Sequence, residues 1–115
     1  MANGTPPRHA TITLSGSAQN VGTYIRETLG KPLTPTVRMF SFQPDGANGN
    51  IIAVGGAGVT TTDYGVLLEA GVTGVPQAPW TPPESHLTTN SWSLDDWWVI
   101  GTNNQKLHVL WVPVN

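Results

Sequence analysis

The chain contains no cysteine and little charge. Without thiols there is no disulfide framework, no zinc-thiolate site and no cysteine nucleophile, and the sequence carries no mark of its redox compartment. Charged residues make up 10% of the 115 positions, against roughly 25% in ordinary soluble domains. Five basic and seven acidic residues give a formal net charge of −2. Such a chain has no basic field with which to hold phosphates, so neither nucleic acid nor an anionic membrane is an expected partner. No apolar run reaches membrane-spanning length, and no basic stretch precedes an apolar one as in a secretion signal, which predicts a soluble, unexported chain.

Long helices are the next thing missing. Thirteen glycines and ten prolines cut the chain into short pieces, and only Glu84 to Ile100 and Thr102 to Val112 reach the roughly 11 residues of an average helix. The first opens with Ser85, Thr88, Thr89, Asn90, Ser91 and Ser93, whose side chains compete for backbone hydrogen bonds, and closes on the β-prone Trp97-Trp98-Val99-Ile100. In the second, period two puts Leu107, Val109 and Trp111 on one face and turns His108 away. The same test gives strands at Val37–Phe42, Ile51–Val54 and Val66–Glu69. Pro44-Asp45-Gly46 ends the first of these, and a hairpin with a polar loop from Asp45 to Asn50 is expected between the first two. A chain of this mass buries roughly two-thirds of its surface on folding, enough for one core. The fold class is therefore all-β: a small antiparallel sandwich or barrel-like domain, jelly-roll or tulip-like.

Two segments stand apart. From Met1 to Pro35 there are four prolines, many small polar residues and two isolated β-like pieces, Ala10–Leu14 and Thr23–Arg26. Their few apolar side chains cannot offset an ordering cost of roughly 1–2 kcal/mol per residue for the backbone alone. Residues 1–35 are read as an extended N-terminal arm and 36–115 as the β-domain. The arm is expected to be mobile in the free monomer and to order on a partner by adding a strand to an exposed edge, with Ile12, Leu14, Tyr24 and Ile25 as anchors. A Pro-rich loop at 71–93 carries Pro76, Pro79, Pro82 and Pro83 around Trp80, which excludes a regular ladder there. Its tryptophan is either a plug over the core or an exposed contact.

Chemistry-bearing motifs are scarce. Val54-Gly55-Gly56-Ala57-Gly58-Val59-Thr60 lacks both the Lys-Ser/Thr of a phosphate loop and the spacing of a dinucleotide site, and is read as a turn or bulge. No nucleophile elbow surrounds any serine. His9, His86 and His108 show no ligand spacing. Asp95 and Asp96 would face opposite sides of an extended chain, so they are read as the turn before Trp97 rather than as an acid–base pair. Asn3-Gly4-Thr5 is a sequon by chance, since no secretion signal precedes it. No catalytic, metal or cofactor residue is assigned. The residue in excess is tryptophan: Trp80, Trp92, Trp97, Trp98 and Trp111. Tryptophan suits a small core, a protein interface or sugar stacking. Of the adjacent pair Trp97 and Trp98, one is expected to enter the core and the other to face out.

The succession Arg38-Met39-Phe40-Ser41-Phe42, then Ile51-Ile52-Ala53-Val54-Gly55, then Gly58 to Gly71 with its Thr60-Thr61-Thr62-Asp63-Tyr64-Gly65 turn, and the closing run Leu94 to Val112, resembles small β-rich virion proteins of tailed bacteriophages. The resemblance covers about Val37 to Val112 and is closest to capsid decoration, or cement, proteins. It implies a non-enzymatic domain on the outer surface of the capsid, a homo-oligomer with the trimer favoured, binding and clamping the major capsid protein. Trp80 and Trp92 are the expected loop contacts. The alternatives are a tail, neck or fibre-base component, or a carbohydrate-binding module using Trp80, Trp92 and Trp98.

Overall fold

A computed structural model of the protein describes residues 6–45, 50–69, 78–83 and 91–114. Within them, two antiparallel sheets carry almost all the regular structure. The strands are β1 (Arg8–Thr13), β2 (Gln19–Asn20), β3 (Val37–Pro44), β4 (Ile52–Gly55), β5 (Val66–Leu68), β6 (Trp98–Ile100) and β7 (Lys106–Pro113). One sheet runs β1-β7-β3 and the other β2-β6-β4-β5. The all-β expectation holds at this level.

The longest strand alternates as its sequence dictates. Leu107, Val109, Trp111 and Pro113 are buried, while Lys106, His108 and Leu110 are exposed. β1 lies along one side of β7 with Ile12 opposite Leu107 and Ala10 opposite Val109, and β3 lies along the other with Phe40 opposite Trp111. At the turn into β7, Asn104 adopts a left-handed φ of 71°. Asn104 and Gln105 together face Leu14, whose N–H donates to the Gln105 carbonyl and whose carbonyl accepts from the Asn104 N–H. Asparagine tolerates this conformation better than most residues, which suits a bulge that starts a strand. One hydrophobic cluster draws Ile12, Phe40, Phe42, Leu107, Val109 and Trp111 from the first sheet and Ile52, Val54, Leu68 and Val99 from the second.

The N-terminal segment differs from the arm expected of it. β1 pairs with β7, and Ala10, Ile12, Leu14, Val21 and Ile25 are packed into the domain: Ile12 and Ile25 are 0% exposed and Leu14 1%. The ordering cost weighed against the segment's own apolar residues is offset by the open side of β7, whose backbone groups need partners and whose inner face needs covering. Thr23–Arg26 is also not β-like. Val21–Thr23 forms a helical turn, α1, that continues as one wide turn through Tyr24–Thr28. Its start is fixed by Asn20, whose side-chain oxygen accepts from the Thr23 N–H. Gly22 is required there, since a Cβ at that position would overlap the Asp95 carboxylate.

A second difference concerns β3 and β4, which belong to different sheets and so form no hairpin. The hairpin partner of β4 is β5, with Ile52 opposite Leu68 and Val54 opposite Val66. Asp45 and Asn50 flank a connection that crosses from one sheet to the other.

If β1 is part of this core, Ile12→Ala will lower unfolding free energy by about 2–5 kcal/mol, as for other buried large-to-small changes. Urea denaturation of the purified variant checks this, and a midpoint equal to wild type would place β1 outside the core.

Candidate functional site

The residues expected to anchor an arm are used inside the chain. Ile12, Leu14 and Ile25 contribute to the core, and half-buried Tyr24 accepts from the Thr13 N–H through its hydroxyl at 3.2 Å. Single-chain packing has already removed Ile12, Leu14 and Ile25 from solvent, so these three are not available as interface anchors.

Trp80 and Trp92 are likewise engaged. Both bridge the outer edge of β3: Trp80 exchanges two backbone hydrogen bonds with Phe42 (2.9 and 2.8 Å), and Trp92 exchanges two with Val37 (2.6 and 2.8 Å). The Trp80 ring stacks on Phe42 at 6.1 Å and 21°, while Trp97 lies 4.9 Å from Phe40 and 5.6 Å from Trp80. Phe40 also meets Trp92 edge-on at 6.0 Å. Five aromatic rings thus form one layer, with Trp80 as a plug over the core rather than a free contact. The rest of the Pro-rich loop, residues 71–77 and 84–90, lies outside the described residues.

The edges of the first sheet are guarded. Because Leu14 turns its backbone toward β7, the alternate residues His9, Thr11 and Thr13 turn theirs outward. Lys31 donates to the His9 carbonyl at 2.9 Å, and the Gln19 amide donates to the Thr13 carbonyl at 3.4 Å. With Tyr24 on the Thr13 N–H, side chains occupy both ends of this edge, a common defence against unwanted strand pairing. Strand addition at β1 would displace all three. On β3 the Trp80 and Trp92 bridges do the same work.

The outward face of the first sheet is more open. Met39 on β3, Leu110 on β7 and Val114 beyond it are 37%, 40% and 39% exposed. Met39 sits opposite half-buried Val112, and Leu110 lies two residues along the same face opposite buried Ser41, so Met39, Leu110 and Val112 share one apolar strip. Beside it, the His108 ring contacts the Thr11 hydroxyl at 3.1 Å and the Asp45 carboxylate at 3.5 Å, the latter an ion pair when the ring is protonated. The three side chains tie β1, β7 and the end of β3 across the face.

Among the described residues no cluster of three or more His, Asp or Glu side chains suits a metal ion. Leu94–Asp96 form a single tight turn, capped by the Ser93 hydroxyl accepting from the Asp95 N–H, so the aspartates serve as the turn read from the sequence. Asp95 also receives both guanidinium nitrogens of Arg26, at 2.6 and 3.1 Å. That hydrogen bonding raises the Arg26 pKa; desolvation opposes it, and the negative charges of Asp95 and Glu27 add smaller increases. Partly exposed as it is, the pair fastens α1 to this turn more than it stabilises the fold. The glycine-rich run makes a turn in which the Val59 N–H donates to the Gly56 carbonyl. The hollow beside it is lined by Asp63 and Tyr64 and by no cation.

A further pair of clefts flanks Trp111. One is lined by Pro7, Arg8, His9, Lys31 and Pro32, the other by Leu33, Thr34, Pro113 and Val114, and Arg8, Pro32 and Trp111 border both. The Trp111 indole N–H is buried without a hydrogen-bond partner. A buried unpaired donor costs on the order of 1–3 kcal/mol. Sequence reasoning placed Trp111 in the core and missed these clefts, because they are built from Pro7–His9, Lys31–Thr34 and Pro113–Val114, segments distant in the chain.

No protein-family model, curated protein or solved structure matches the chain.

Trp80→Ala removes a half-buried ring that packs on Phe42, Phe40 and Trp97, and will cost about 1–3 kcal/mol, less than the 3–5 of a fully buried aromatic. Thermal unfolding followed by circular dichroism measures it. Wild-type stability in this variant would make Trp80 a surface contact after all.

Proposed function

We propose that this chain is a non-enzymatic virion structural protein of the decoration, or cement, type, binding the outside of a tailed-phage head. In this reading it is a homo-oligomer, with a trimer favoured, whose two sheets stack as a small sandwich and whose partner is the major capsid protein. The observation that carries the reading is the apolar strip of Met39, Leu110 and Val112 on the open face of the first sheet. It lies on a chain with only 10% charged residues, and burying such a face against protein desolvates few charges. The strand-and-turn succession from Arg38 to Val112 that resembles phage virion proteins supports the same reading.

The proposed mechanism is mechanical and acts through a face rather than an arm. Ala10, Ile12, Leu14, Val21 and Ile25 are committed to the core and the edge of β1 is capped, so attachment relies on side-chain contacts from a preformed surface. Preformed surfaces bind without an added ordering cost. Repetition over a lattice turns individually weak contacts into firm attachment. The carbohydrate-module alternative loses support from Trp80, whose ring is stacked on Phe42 and edged by Trp97.

Purified protein added to expanded heads lacking it is expected to bind saturably, in a copy number in step with the capsid lattice, and to raise the temperature of head disruption. Leu110→Glu is expected to reduce binding at least about tenfold while leaving the fold intact, because a charge then has to be desolvated in the contact. Absence of binding to heads would overturn the assignment, and a few copies at a single vertex would move it to the neck or tail.

A further inference from the structure

We propose that the paired clefts around Trp111 form a binding site for an acidic, extended peptide segment, a carboxylate side chain entering one cleft and an apolar side chain the other. Volumes of about 280 and 260 Å³ fall below the about 300–1,000 Å³ of sites that enclose a whole drug-sized ligand. Each therefore suits one side chain. That Arg8, Pro32 and Trp111 border both clefts makes a short continuous trough, the shape an extended chain fills.

Chemistry separates the two halves. The first holds Arg8, Lys31 and His9 and no carboxylate. Of the cations, Lys31 spends one N–H on the His9 carbonyl and keeps two. Among the described residues the Arg8 guanidinium takes part in no hydrogen bond or ion pair, in contrast to that of Arg26 with its two bonds to Asp95. An unengaged guanidinium beside a lysine is complementary to a carboxylate, which it receives in a fork. The second half, with Leu33, Pro113 and Val114, is apolar and suits a leucine-like side chain. Between them stands Trp111, 1% exposed, whose indole N–H has no partner. A free carboxylate or phosphate ion shares the chemistry of the first half alone; the apolar second half favours a peptide.

The site belongs to the isolated chain and its test needs no particle, so its failure and that of the virion reading are told apart. The full chain, labelled with nitrogen-15, is titrated with the blocked peptide Gly-Glu-Pro-Leu-Gly, with its Gln counterpart, and with acetate and inorganic phosphate. The expected result is saturable movement of the amides of Arg8, His9, Lys31, Leu33 and Val114 and of the Trp111 indole N–H with the Glu peptide. The Gln peptide is expected to bind about tenfold more weakly, as loss of one charge-assisted pair predicts. Arg8→Gln, at an exposed position, should weaken the Glu peptide about equally, while Arg38→Gln, an exposed cation outside the clefts, should not. Equal binding of the Gln peptide, equal loss with Arg38→Gln, movement confined to other residues, or acetate or phosphate matching the peptide would each overturn the proposal.

Discussion

Strand β7 is the element on which the rest of the molecule depends. It is the central strand of its sheet, with β1 on one side and β3 on the other, and its inner face supplies Leu107, Val109 and Trp111 to the core. Leaving either side open would strand a row of backbone donors and acceptors and expose part of a small core. The chain has few apolar residues to spare, so β1 closes one side and the aromatic layer on β3 closes the other. That single requirement explains why a proline-rich, weakly apolar N-terminal segment is ordered, and why Trp80 and Trp92 are drawn out of their loop onto the edge of β3.

What was legible in the sequence follows the same logic. Period two in Leu107–Trp111 identified β7 and its buried face, and the stretches around Phe40, Ile52, Leu67 and Val99 marked their strands, because each signal is local. The Ser93–Asp96 turn was local too. Pairing was not: Asp45–Asn50 looks like a hairpin loop, yet β3 finds β7 and β4 finds β5 and β6, a choice made by matching whole inner faces. The helical turn at Val21 was hidden by β-branched Thr23 and Ile25, and is set by the Asn20 cap and by the contact of Gly22 with Asp95, 73 positions away in numbering. Judging residues 1–35 by their own hydrophobicity failed because the stabilising surface lay on another strand.

The surfaces separate by the same division. Side chains that point inward are spent on the fold, including Ile12 and Leu14 by strand alternation and Ile25 from its helical turn. The strip of Met39, Leu110 and Val112 consists of the outward partners of core residues, and Pro7–His9 meets Lys31–Thr34 and Pro113 only once β1 is docked. Both surfaces are therefore consequences of the β1–β7–β3 arrangement. With its edges capped by Lys31, Tyr24, Gln19, Trp80 and Trp92, the first sheet presents a face and clefts to partners rather than free strands, which suits a rigid module in an assembly.

The most direct measurement is native-state hydrogen exchange at the amides of Ala10, Ile12 and Leu14, compared with Leu107 and Val109, in the isolated monomer. Their alternation places all of these amides between β1 and β7, so the account predicts protection of the β1 set equal to that of the β7 set, with both exchanging through global unfolding. Free exchange at Ala10 and Ile12 beside a protected β7 would contradict it.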